Sequence, residues 1–204
     1  MALTLGEQPI IDALNGAFSY FQANLSTLVP DIFGYATAAD QQEIISLWTN
    51  YQVAVQGSYP FKAIQSPQVS VTIEPEEETD QYAGNSQTGV ITNNSNGHAT
   101  MFRSTYACYC FSVNQKALLW LQVLVKWALL FQRLSLQQGV VNGQPTGYFT
   151  EQRLKLSGLT PVPEGLGDSI FPFQRTVYLI ATHIDTWSDE PQTPMQSGGI
   201  TITV

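Results

Sequence analysis

The sequence predicts an α+β fold: a mostly antiparallel β-sheet packed against one long apolar helix, with further helices at the N-terminus. Three observations predict it. "QVSVTIE" alternates, with Val69, Val71 and Ile73 on one face and Ser70, Thr72 and Glu74 on the other. "ATMFRSTYACYCFSV" and "FPFQRTVYLIATHIDTWS" are long runs of β-branched and aromatic residues. Between them, "ALLWLQVLVKWALLF" is apolar around most of a helix's girth, which marks a helix covered on more than one side.

The elements follow in order. Ile10, Ile11, Leu14, Phe18 and Phe21 recur near helical spacing, which predicts a helix from Pro9 to about Leu28, ended by Pro30 and Gly34. A second helix is expected from Ala38 to Tyr51, with Thr37 or Asp40 as its cap. "QGSYPFKAIQSPQ" reads as a loop before the first strand. The acidic block and "YAGNSQTGVITNNSNG" read as a long polar excursion, followed by a strand from Ala99 to Val113. Asn114 is placed to cap a helix from Gln115 to Gln138, whose polar stripe is Gln115, Gln122, Lys126, Arg133 and Gln137. "YFTEQRLKLSGL" is a further strand. The last strong strand, "FPFQRTVYLIATHIDTWS", is apolar on both faces and should lie centrally in the sheet.

At 204 residues the chain is expected to be one domain. Residues 1–56 form its N-terminal helical segment, 60–186 its core, and 187–204 an extended arm ending in the β-prone "ITITV". In that arm Ile200 and Ile202 invite pairing with the sheet edge of a neighbour.

Composition narrows function. Charged residues make up 12%, against about a quarter in an ordinary domain, so much of the surface is neutral or covered by other subunits. The net charge is −8 and the eight Lys and Arg are scattered, which argues against sequence-specific DNA binding. An acidic surface suits a channel that DNA slides through. No basic leader is seen, and the most apolar run is too short for a bilayer, so no membrane association is expected.

Enzyme signatures are not evident: there is no phosphate-cradling Gly-rich loop, H-E-x-x-H or G-x-S-x-G. Cys108 and Cys110 share a strand face and read as buried hydrophobes, compatible with a reducing cytoplasm. His98 falls in a predicted loop. His183 shares a strand face with Asp185, which more often marks a satisfied histidine than a catalytic pair. No cofactor or metal is expected.

The acids Glu74, Glu76, Glu77, Glu78 and Asp80 crowd seven positions. Their spacing lacks the converging turn of a cation loop, and Pro75 interrupts it. Two readings remain: a solvated edge, or an edge that meets cations of another copy. The candidate cations are Arg103, Arg133, Arg153, Lys155 and Arg175.

The stretch "FKAIQSPQVSVTIEPEEETDQYAGN", followed by "STYACYCFSVNQKALLWLQVLVKWALLFQRLSLQQG", resembles neck and tail-terminator proteins of contractile-tailed bacteriophages. Pro67, Val69, Val71, Glu76 to Glu78 and Gly84 stand at the positions of that pattern, and the likeness covers roughly Pro60 to Thr186. The resemblance implies a non-enzymatic virion protein, assembled in the host cytoplasm into a homo-oligomeric ring, commonly a hexamer. Such a ring terminates the tail and joins it to the head connector, with genomic DNA passing through the lumen. Its partners would be neck, collar, gateway, connector, tail-tube or sheath proteins. Two other classes remain: a small-molecule enzyme or binding module using Glu76, Asp80 or His183, and a tail-tube or baseplate protein.

Overall fold

The structure is a computed structural model that describes residues 7–57, 67–74, 77–83, 97–112, 114–137, 139–141, 144–146, 149, 151–161 and 173–188. It mixes helix and sheet. Three helices come first: α1 (Gln8–Ala23), α2 (Leu25–Ile32) and α3 (Ala38–Asn50). The expected Pro9–Leu28 helix is therefore two helices, broken at Asn24, whose φ of −130° leaves the helical region. Pro30 does not end α2 but lies inside it. Val29 and Phe33, both buried, hold the turn around it against the core. α3 starts as its sequence predicts: the Thr37 hydroxyl accepts from Asp40 N at 3.2 Å.

The strands are β1 (Ala54–Gly57), β2 (Gln68–Ile73), β3 (Glu77–Ala83), β4 (Gly97–Phe111), β5 (Gly139–Val141), β6 (Gln144–Thr146), β7 (Glu151–Leu156), β8 (Thr160–Pro161) and β9 (Phe173–Ser188). The main sheet runs β1-β2-β4-β9-β7, with β3 beside β4 and β8 beside β9. β1 joins β2 in parallel; the other main-sheet ladders are antiparallel. β9 lies inside the sheet, as its two apolar faces predict. β5 and β6 pair separately.

The acidic block is not all loop. Glu77 onward forms β3, and His98, expected in a loop, lies in β4. β2 stops opposite Tyr106, leaving the rest of β4 without a partner on that side. Pairing those backbone groups outweighs the weak strand preference of Glu and Asp.

Asn114 caps α4 (Gln115–Phe131), its side-chain oxygen accepting from Lys116 N at 2.8 Å and Ala117 N at 3.4 Å. The helix does not continue to Gln138. Gln132 turns out of it at φ −86° and ψ 5°, and a short α5 (Arg133–Leu136) follows. Nor does the sheet rest on one helix alone. α4 lies on β4 and β9, α1 packs on α4 and β1, and α2 bridges α3 and α4. One hydrophobic cluster joins these layers: Ile10, Leu14 and Phe21 of α1, Leu121 and Val125 of α4, and Val69, Cys108, Val177 and Leu179 of the sheet.

Gln122, a member of the polar stripe, points inward. It is 3% exposed and faces the sheet. Its amide nitrogen donates to Ser157 O at 2.8 Å and Thr176 O at 3.0 Å, and its oxygen accepts from Arg175 Nη1 at 3.2 Å. A polar side chain is retained under an apolar helix because every hydrogen-bonding direction it uses meets a partner.

Candidate subunit interface

The candidate interface residues fall into separate places. Glu74 lies just past β2, its N–H donating to Thr105 O at 2.8 Å. Glu76, Ile200 and Ile202 lie outside the described residues. In the β3–β4 ladder, Glu77 stands opposite Arg103, Glu78 opposite Phe102 and Asp80 opposite Met101. Thr79 is the extra residue of a bulge between them. The ladder thus places an acid of the block opposite a cation of its own chain.

The five candidate cations do not share one surface. Arg103, Arg153 and Lys155 are exposed, in alternate positions that set them on the sheet face away from α4. Arg153 Nη2 lies 3.8 Å from Glu151 Oε2. Arg175 is on the opposite face, held by Gln122 under α4, and so serves the interior of the subunit.

Arg133 stands at the start of α5, where it clamps the edge strand. Its Nη2 donates to Gln152 O at 3.3 Å, and Gln152 Nε2 donates back to Arg133 O at 3.0 Å. Ser157 N bonds Thr176 O, and the alternation of an antiparallel ladder then turns the backbone groups of Gln152, Leu154 and Leu156 outward, away from β9. Arg133 therefore covers one carbonyl of an otherwise open edge. With Gln137, Glu151, Gln152 and Arg153 it lines a shallow polar depression of about 320 Å³.

Two further features emerge from the fold. One is a ladder of rings. Phe131 is sandwiched between Tyr20 (centroids 5.1 Å apart, planes 13°) and Trp127 (5.0 Å, 16°), and Trp127 meets Phe21 at 5.9 Å. Phe21 is buried, whereas Tyr20, Leu130 and Phe131 are each nearly half exposed and Leu134 is 82% exposed. These side chains form an apolar surface at the last turn of α4. The other feature is Lys116, which bonds both Asp40 and Glu43 of α3 at 2.6 Å and lies 4.9 Å above the Trp120 ring. Lys116, then the Thr37 hydroxyl, hold the Asp40 carboxyl below its ordinary range, while Asp40 and then Glu43 raise the Lys116 ammonium. A helical pattern in α1 and α4 hints at the first feature. The second joins residues too distant in sequence for any spacing rule.

Cys108 and Cys110 are buried free thiols on one face of β4, as expected. Burial pushes Cys108 up to about 12 and raises Cys110 as well, which keeps both protonated. His98 stands opposite Trp187 and His183 opposite Phe102, so the two are not ladder neighbours. Among the described residues no group of His, Cys, Asp and Glu could hold a metal ion, and no helix is long and apolar enough to cross a membrane. Comparison with protein-family models and with curated proteins gives no match.

Proposed function

We propose that this chain is a structural subunit of a phage neck. It assembles into a closed homo-oligomeric ring, commonly six-fold, that terminates a contractile tail and joins it to the head connector, with DNA passing through the lumen. The observation that carries self-assembly is the apolar surface of Tyr20, Leu130, Phe131 and Leu134 on a chain otherwise poor in charge. Exposed apolar clusters of this kind mark interaction sites. The neck reading draws on the resemblance over residues 60–186. It is supported by the succession of alternating strand, acidic strand, long strand, apolar helix and further strands. The net charge of −8 suits a lumen that does not retain DNA. The finer fold assignment, a tail-terminator-like sheet backed chiefly by α4, belongs to the same proposal.

The role is assembly rather than chemistry. Size-exclusion chromatography with light scattering tests the ring. A discrete closed oligomer is expected; an open polymer would favour a tail-tube protein, and a monomer would return the chain to the binding modules. Negative-stain images of assembled particles, with the chain labelled, test its place at the neck.

A further inference from the structure

We infer that copies of this chain join head to tail, the apolar knob at the end of α4 of one copy entering a pocket at the start of α4 of the next. This rests on the ring reading and supplies its contact. The knob is Leu134, 82% exposed, with Leu130 and Phe131 beside it. The pocket lies between the end of α3, the start of β2 and the first turns of α4, and has a volume of about 220 Å³. Leu47, Tyr51, Pro67, Ala117 and Trp120 supply most of its wall. An apolar cavity of about 150 Å³ already holds a benzene ring, so the pocket has room for a leucine side chain.

Charge favours a second copy as the occupant. Glu43 lines the pocket, and among the described residues Asp40 and Glu43 share one cation, Lys116, so that this cluster carries one net negative charge. Among the described residues lining the depression beside the knob, Arg133 and Arg153 outnumber the acid Glu151, leaving one net positive charge there. No acid occurs between Asn114 and Thr150 to offset it. One chain thus carries both an apolar, positive projection and an apolar, negative recess.

Their placement decides the symmetry. They sit at opposite ends of α4, whose 17 residues span about 25 Å. A patch that pairs with itself would bring the same residues together across a two-fold axis. Two different patches, one around the first turns of α4 and the other at its last turn and in α5, give a heterologous contact, which closes into a ring or continues as a filament.

The test uses the full chain in sedimentation velocity. Leu134→Glu removes the knob, and Tyr51→Arg sets a cation against Arg133 of the next copy. Both positions are exposed (82% and 47%), so each variant should keep the wild-type circular dichroism and melting temperature. Wild type is expected to form the closed oligomer. Each variant alone should lose at least about tenfold in association constant, as for an interface anchor. Their equimolar mixture should give dimers and nothing larger, because one intact knob then meets one intact pocket. If wild type assembles and either variant assembles equally well, the contact lies elsewhere and the ring reading stands. Dimers formed by each variant alone would show a self-paired contact and overturn the proposal. A monomeric wild type at every accessible concentration would overturn the contact and the ring together.

Discussion

Replacing Gln122 by Leu isolates the polar tie beneath α4. The substitution keeps nearly the same volume and adds no charge. It removes two bonds to carbonyls and one from a guanidinium, at 2.8, 3.0 and 3.2 Å. Neutral bonds contribute about 1 kcal/mol each and a bond to a charged group about 2 kcal/mol, so the loss is about 4 kcal/mol. Thr176 O keeps a second donor, Ser157 N at 2.9 Å, which trims that figure slightly. A buried leucine returns about 1.5 kcal/mol. The net destabilisation is about 2–3 kcal/mol, and the expected fall in melting temperature is about 5–10 °C for a domain of this size. Arg175 is the partner left worst off, because the variant confines its guanidinium under an apolar helix. Adding Arg175→Met to Gln122→Leu should therefore recover part of the loss, a coupling that urea unfolding of the four proteins measures directly. A Gln122→Leu protein that melts within about 1 °C of wild type, or strict additivity with Arg175→Met, would refute the assignment of this node as a support.

Leu124→Asp buries a charge at a position with no exposed surface and should cost several kcal/mol; unchanged circular dichroism and melting would exclude α4 from the core. The Lys116 cluster should act only between two titrations. The lowered Asp40 stabilises the fold above its ordinary range near 3.8, an effect lost as pH falls through its folded value. The raised Lys116 stabilises the fold below 10.5, an effect lost as pH rises through its folded value. The melting difference between wild type and Lys116→Met should thus be widest at neutral pH and close toward both extremes; a constant difference would contradict the pairing. Changing Glu76, Glu77 and Glu78 together to Gln should make ring stability less sensitive to sodium chloride. Because Glu77 stands opposite Arg103 in the ladder register, the same variant should also lose about 0.2–1 kcal/mol of fold stability. Identical salt and melting curves would reduce the block to solvated charge.

Much of the fold was legible because local patterns and packing agree. The alternation of Val69, Val71 and Ile73 set the helix-facing side of β2, and Asn114 marked the start of α4 to the residue. The misreadings share a cause. Pro30 and the acids carry local preferences against the elements they occupy, and in each case distant partners outweigh them. Val29 and Phe33 anchor the turn around Pro30, while β4 offers unpaired backbone to the acids. The role of Gln122 was not legible for a related reason. Its amide looks like surface in sequence, and only the fold brings Ser157, Arg175 and Thr176 around it.

The candidate surface was less legible, because charge type does not reveal which face a residue takes. A list of arginines treated Arg103, Arg133 and Arg175 as equivalent. The sheet gives them three places: Arg103 stands at the ladder position opposite Glu77, Arg133 covers a strand edge, and Arg175 is held beneath a helix. Arg133 and Arg175 are bonded within their own chain, which reduces what they can offer another copy. An assembly contact built from exposed ion pairs would in any case be weak, at about 0.2–1 kcal/mol per pair. The stronger source of association lies in uncharged side chains. Tyr20, Phe131 and Leu134 expose apolar area, and in the proposed contact the charge at the knob and pocket would set which ends meet. In the proposed assembly the acidic strand would govern salt response and keep wrong edges apart, while the knob and pocket beyond the two ends of α4 would hold the copies together.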